Sequence, residues 1–146
     1  MGFTRILVGT DGSATADKAV ETAADQARQL HAELHIVTAY PARGSGMAEA
    51  SGAALAGPAV SEGLHAEAAK QIAEKAAATW GVGLSAHAHA AAGHAADAII
   101  ETAASIGADL IVVGSKGMHG ARRVLGSVPN SVAHGAGCAV LLVKTD

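Results

Sequence analysis

The chain has 146 residues, half of them hydrophobic, and its three aromatic residues are Phe3, Tyr40 and Trp80. This length suffices for one domain with a core, and the formal net charge of −3 argues against a nucleic-acid or membrane-surface role. The apolar runs fall short of the ~20 residues that a membrane span needs, and the N-terminus does not resemble a signal peptide. Cys138 is the single cysteine, so we expect no internal disulfide and a cytoplasmic location.

The first half of the chain predicts a strand, a helix and a second strand. Residues 5–8 are a short apolar run that ends in Gly-Thr-Asp-Gly. Ser13 is a suitable helix N-cap, and small apolar residues then recur at three- and four-residue steps as far as Leu30, which predicts an amphipathic helix. Residues 33–40 predict the second strand. Residues 41–61, rich in Gly, Ala and Ser, predict a flexible loop that is either a lid or disordered.

The second half continues the alternation of helices and strands. A helix is expected at 62–80, with Leu64, Ala68, Ile72 and Ala76 on one stripe, and a strand near a sheet edge at 84–91. A helix at 94–106, a strand at 110–113, a helix at 127–136 and a strand at 139–143 follow. This order predicts a single α/β domain with a doubly wound, parallel, five-stranded sheet and helices on both faces. Such sheets bind ligands beyond the carboxyl ends of their strands, where the strand order reverses.

The stretch 109–131, DLIVVGSKGMHGARRVLGSVPNS, is the most informative part of the sequence. An apolar run meets a glycine-rich loop that carries basic residues, and the loop leads to Ser127 and a helix with Pro129 in its first turn. Glycines let backbone N–H groups approach an anion, and a helix N-terminus adds free donors, so the stretch predicts a phosphate cradle. The alternative is a plain flexible connection. The sequence lacks both the P-loop motif and a dinucleotide-binding glycine motif after the first strand.

Three segments give the chain a family resemblance. Residues 9–13 (GTDGS), 109–117 (DLIVVGSKG) and 126–131 (GSVPNS) resemble the universal stress protein family, and the resemblance extends over nearly the whole chain except 41–61. It implies a Rossmann-like fold of the adenine nucleotide alpha hydrolase type with strand order 3-2-1-4-5. Nucleotide-binding members carry Gly-x-x-Gly, nine further residues and Gly-Ser or Gly-Thr. Here eight residues separate Gly117 from Gly126, which is a departure from that pattern.

The resemblance also implies roles for individual residues. Thr10 and Asp11 would lie beside adenine and ribose, and Asp11 is the candidate contact of a phosphate-bound metal, although a turn role explains it equally well. Ala39 would meet adenine through its backbone, and Val113 would lie beneath the ribose. The complete implied nucleotide-binding set is Gly9, Thr10, Asp11, Ala39, Val113, Gly114, Ser115, Lys116, Gly117, Gly120, Gly126, Ser127, Val128 and Pro129.

The implied function is that of a cytoplasmic, ATP-binding stress-response protein, a sensor or carrier rather than an enzyme, with Mg²⁺ associated through phosphate. Binding of AMP or cyclic AMP, slow ATP hydrolysis or autophosphorylation, and a nucleotide-free dimeric interaction module stay open as alternatives. Family members commonly dimerise through the last strand. The apolar strand at 139–143 would invite a second copy if it lies at an edge, so a homodimer is expected.

Two histidines of the predicted third strand, His87 and His89, lie on one strand face and could pair on a metal. Because no third ligand is close in sequence, an exposed strand face is the preferred interpretation. Cys138 is expected to be a small buried residue, and Trp80 a core residue.

Overall fold

A computed structural model describes residues 2–42, 58–115 and 126–145. Strands and helices alternate in these residues in the predicted order, and their ends lie within four residues of the predicted ones. The elements are β1 (Arg5–Gly9), α1 (Ala14–Leu30), β2 (Glu33–Tyr40), α2 (Pro58–Trp80), β3 (Ala86–Ala92), α3 (Ala95–Ile106), β4 (Leu110–Gly114), α4 (Ser127–Gly135) and β5 (Ala139–Val143). Residues 43–57 of the predicted 41–61 loop lie outside the described residues.

The five strands form one parallel sheet in the order β3-β2-β1-β4-β5. This confirms the predicted fold class and the implied 3-2-1-4-5 order, with β3 and β5 at the two edges of the described sheet. The chain leaves β1 towards β2 on one side and later returns to β4 on the other side. The carboxyl ends of β1 and β4 therefore flank the point where the strand order reverses.

Each face of the sheet is covered by two helices. Successive side chains of a strand point to opposite faces, so each central strand packs against helices on both sides. On one face Ile6 and Ile36 pack against the alanines of α1 and α2. On the other face Leu7 and Val37 pack with Ile99 of α3 and with residues of α4. The central strands are thus buried on both sides, which explains their unbroken apolar runs.

Helix α1 begins as its sequence predicts. The Ser13 hydroxyl accepts a hydrogen bond from the N–H of Ala16 at 3.1 Å, which satisfies one of the free donors of the first turn. The helix ends at His31, whose φ of 55° is left-handed, and this non-glycine C-cap was not expected from the sequence. Leu30, the last residue of the helix, is 37% exposed rather than buried.

The buried stripe of α2 differs from the predicted one. Leu64 is 61% exposed, and the buried line consists of Ala76, which was predicted, with Ala69 and Ala73, which were not. Since these side chains are methyl groups, α2 can lie close to the strands it covers. Of the predicted stripe, Ala76 is buried as expected and Ile72 is half-buried, whereas Leu64 and Ala68 are exposed.

The starts of β1 and β4 are joined by one side chain. The Asp109 carboxylate accepts hydrogen bonds from the N–H of Thr4 at 2.9 Å and from the N–H of Arg5 at 3.0 Å. It also accepts the Thr4 hydroxyl at 3.0 Å. This connection fixes the register of the two strands at the end opposite to the strand-order reversal.

Among the helices of the described residues, none combines the length and apolar character of a membrane span.

Candidate functional site

A cavity of about 320 Å³ lies at the carboxyl ends of the strands, where their order reverses. The ends of β1, β2 and β4 supply its floor, and the starts of α1 and α3 supply part of its walls. Of the implied nucleotide-binding residues, seven line this cavity: Gly9, Thr10, Asp11, Ala39, Val113, Gly114 and Val128. Residues from four separate elements of the chain therefore meet at one site.

The remaining implied residues have different positions. Ser115 is 1% exposed, and its hydroxyl accepts a hydrogen bond from the N–H of Thr145 at 3.2 Å. Gly126, Ser127 and Pro129 are at the start of α4, outside the described lining of the cavity. Lys116, Gly117 and Gly120 lie outside the described residues. The nucleotide-binding role of all fourteen residues stays a prediction.

The turn after β1 is held by three short hydrogen bonds. The N–H of Thr10 donates to the carbonyl of Val37 at 2.9 Å, and the Thr10 hydroxyl accepts from the N–H of Gly12 at 3.1 Å. Asp11 Oδ1 accepts from the N–H of Ser13 at 2.9 Å. Asp11 thus has the turn role that its sequence position suggested, and its exposed carboxylate also borders the cavity.

The apolar part of the cavity depends on close packing between β1 and α3. A β-carbon on Gly9 would lie 2.7 Å from Cδ1 of Ile99, so glycine lets the helix approach the strand end. Val37 and Ala39 of β2 continue this wall, and Val113 of β4 lies on the other side. The result is a narrow apolar pocket with Thr10 and Asp11 among its polar lining residues.

Several lining residues were missed by the sequence analysis. Tyr40 ends β2 and Pro41 follows it, and Gly93 and His94 follow β3, so the rule of carboxyl strand ends could have identified them. Thr145, which follows β5, lies at the same carboxyl edge of the sheet and was also missed. Its carbonyl accepts a hydrogen bond from Lys18 Nζ at 3.0 Å, and this contact holds the C-terminal segment against α1.

The sequence profile of the universal stress protein family matches residues 2–144. The chain belongs to the universal stress protein family. A universal stress protein of Methanocaldococcus jannaschii is 36% identical, over 97% of this chain and 82% of that protein. Universal stress protein A homolog 2 of Coxiella burnetii is 54% identical over 46 residues, so this chain matches 32% of its length.

Solved structures of the family share the fold. The crystal structure of a universal stress protein in complex with cAMP is 30% identical to this chain, covers 100% of both chains and superposes with a TM-score of 0.72. The family assignment made from residues 9–13, 109–117 and 126–131 is confirmed. This universal stress protein departs from the family's glycine pattern in the shorter spacing between Gly117 and Gly126. The residues between these two glycines lie outside the described ones.

Proposed function

We propose that this universal stress protein binds an adenine nucleotide, with ATP as its first ligand, in the cavity at the strand-order reversal. The observation that carries the proposal is the meeting of Thr10, Asp11 and Gly114 with the apolar wall of β2 at one site. Apolar surfaces with a few placed polar groups are typical of sites for small ligands. The relative whose structure is a complex with cAMP supports adenine nucleotides as the ligand class.

The polar side of the cavity fits a nucleotide phosphate with its Mg²⁺. Mg²⁺ is usually held by one or two carboxylates together with phosphate oxygens, and Asp11 supplies an exposed carboxylate at the cavity. The N-terminus of α4 is capped by Gly126 without a side-chain hydrogen bond. Free N–H groups at such a helix start suit an anion.

Cyclic AMP is the alternative ligand, and it is favoured by the complex of the 30% identical relative. The two ligands differ in phosphate charge and in their need for metal. A triphosphate would be expected to use Asp11 through Mg²⁺, whereas a cyclic monophosphate would not. Binding with and without Mg²⁺ therefore separates the two proposals.

For the biological role we propose a cytoplasmic stress-response sensor or carrier rather than an enzyme. The enzyme alternative is slow ATP hydrolysis or autophosphorylation, for which Asp11 and His94 are acid–base groups of the described lining. Phosphate release that is lost in Asp11→Asn would support it. A nucleotide-free interaction module is the further alternative.

We also propose a homodimer formed through β5. This strand is an edge of the described sheet, and Leu142 within it is 40% exposed. An edge strand offers unpaired backbone groups to a second chain, and a two-fold pairing with the same strand satisfies both copies.

Isothermal titration of the full chain with ATP, AMP and cyclic AMP, each with and without Mg²⁺, tests the ligand proposal. Ala39→Phe should place a large side chain in the cavity and weaken nucleotide binding at least about tenfold. Ala104→Phe, at an exposed position of α3 outside the cavity lining, is the control and should bind like the wild type. Absence of binding by the wild-type protein to all three nucleotides would contradict the proposal.

A further inference from the structure

A cluster of polar side chains lies on β2 and β3, away from the cavity. Glu33 and His35 are two residues apart on β2 and so point to the same face of the sheet. His87 of β3 is the register partner of His35, and His89 follows two residues later on the same face. The parallel register therefore brings the carboxylate and imidazole of β2 beside the two imidazoles of β3, which are distant from them in sequence.

The imidazoles of this cluster are ordered by contacts with one another. His35 Nδ1 lies 2.9 Å from His89 Nε2, a hydrogen bond that uses one nitrogen of each ring. The rings of His35 and His87 stack with a centroid distance of 4.6 Å. The Ser85 hydroxyl lies 3.1 Å from His87 Nε2 and orients that ring.

One nitrogen in the cluster has no hydrogen-bond partner although it is buried. The His35 side chain is 9% exposed, and its Nε2 is 3.5 Å from Glu33 Oε2, too far for a good hydrogen bond. A buried polar atom without a partner is costly. The separation instead matches that of two ligands on one ion, since ligand atoms around tetrahedral Zn²⁺ are about 3.4 Å apart.

We propose that Glu33, His35 and His87 form a binding site for a divalent transition-metal ion, with Zn²⁺ as the first candidate. Their potential ligand atoms all lie within 4.8 Å of one another, and Glu33 and His87 have the exposure to close the remaining distance by side-chain rotation. Two imidazoles and a carboxylate are a donor set that Zn²⁺ and its first-row neighbours prefer. A water molecule would complete the coordination.

The protonation states of the cluster suit a metal. Burial lowers the pKa of both His35 and His89, which disfavours the charged form of each ring. A hydrogen bond from Arg5 lowers the pKa of Glu33 and keeps that carboxylate ionised. Neutral imidazole and ionised carboxylate are the forms that ligate metals.

Two neighbours act as supports of the proposed site rather than as ligands. Arg5 Nε donates to Glu33 Oε2 at 2.8 Å and fixes the carboxylate, and the second lone pair of this oxygen is the one that would face the ion. His89 holds His35 through Nδ1 and directs Nε2 of that ring towards Glu33. The site is distinct from the cavity, because none of its residues is among the described lining residues of the cavity, although Val37, two residues after His35, is one of them.

Isothermal titration calorimetry of the untagged, metal-free full chain with ZnCl₂ tests this proposal. We expect one ion per chain in the wild type and at least tenfold weaker binding in His87→Ala, whose exposed position leaves the fold intact. His134→Gln, an exposed histidine of α4, is the matched control and should bind like the wild type. His89→Gln should weaken binding less than His87→Ala while keeping the stoichiometry.

Titration with Co²⁺ adds a spectroscopic readout of the coordination geometry. Tetrahedral coordination by the wild-type chain gives intense ligand-field absorption, which we expect to disappear in His87→Ala. Equal Zn²⁺ affinity in the wild type, His87→Ala and His134→Gln would overturn the proposal, as would failure of the wild type to bind Zn²⁺ and Co²⁺. The cluster would then be a stack of neutral rings without a metal.

Discussion

Gly114 and Thr145 are in close contact across one wall of the cavity, and the absence of a side chain at Gly114 makes this contact possible. A β-carbon on Gly114 would lie 2.8 Å from Cγ2 of Thr145. Thr145 is 3% exposed, and its carbonyl is held by Lys18. The end of β4 and the segment after β5 are therefore packed as one wall, and a change at either residue alters the cavity.

Replacing Gly114 by alanine should both destabilise the protein and weaken nucleotide binding. The new β-carbon would press against the buried Thr145, and overpacking of this kind typically costs about 1–3 kcal/mol. Adding Thr145→Ser in the same chain removes the methyl group that the new β-carbon meets, so stability should return towards the wild type. Urea unfolding and nucleotide titration measure both effects. A double variant as unstable as Gly114→Ala would show that the contact is not the cause.

Acid should destabilise the protein through Asp109. Burial raises the pKa of its carboxyl, but hydrogen bonds from the backbone of Thr4 and Arg5 outweigh this and hold the pKa below its ordinary value of 3.8. Because the pKa is lower in the folded state, the unfolded state binds more protons in this range. The stabilisation is present above about pH 3.8 and is lost as the pH falls through the folded-state pKa.

The variant Asp109→Asn tests this assignment. It should lower the free energy of unfolding at pH 7 by about 1–3 kcal/mol, because an amide cannot accept all of these hydrogen bonds. It should also flatten the loss of stability in acid. Asp25→Asn, at an exposed position of α1, is the control. It removes a surface ion pair with Arg28 and should change the free energy of unfolding by less than about 1 kcal/mol. An unchanged acid profile in Asp109→Asn would contradict the assignment.

Asp11→Asn should separate the role of this side chain in the turn from its proposed role at the metal. The amide oxygen can still accept the N–H of Ser13, so the turn should be retained. We expect about tenfold weaker binding of Mg–ATP, and equal or tighter binding of metal-free ATP because a repulsive charge is removed. Calorimetry with and without Mg²⁺ measures this difference, and equal losses under both conditions would argue against a metal contact.

The proposed dimer should be sensitive to charge on β5. Leu142→Asp places a carboxylate on an exposed position of the edge strand and should convert a dimer into a monomer. Val82→Asp, at a residue that is 71% exposed outside the strands, serves as the control. Size-exclusion chromatography with light scattering reports the mass. A wild-type monomer, or a Leu142→Asp dimer, would exclude this interface.

Much of the fold follows from local patterns. The apolar runs of the strands, the Ser13 cap and the helix-ending Gly107, whose φ is 71°, each state their structure within a few residues. The rule that ligands bind beyond the carboxyl ends of the strands also holds, since Asp11 after β1 and Gly114 at the end of β4 line the same cavity. These inferences succeed because they depend on sequence neighbours or on a topological rule.

Features that depend on contacts between distant residues could not be predicted. Leu64 and Ala69 are both apolar, and only the packing of α2 on the sheet determines which one is buried. His35 and His87 become neighbours through strand register, which no local pattern specifies. The hydrogen bond from the N–H of Thr145 to the Ser115 hydroxyl joins residues 30 positions apart in sequence. This contact holds the C-terminal segment beside the end of β4.

The most direct test of the central claim is an amide NMR titration of the full chain with Mg–ATP and, separately, with cyclic AMP. The account predicts that the amide signals of Thr10, Ala39 and Gly114 shift with a nucleotide, while those of Ser85 and His87 stay in place. Such a result would locate an adenine nucleotide in the cavity at the strand-order reversal. Shifts confined to residues outside the cavity, or no shifts with either nucleotide, would contradict it.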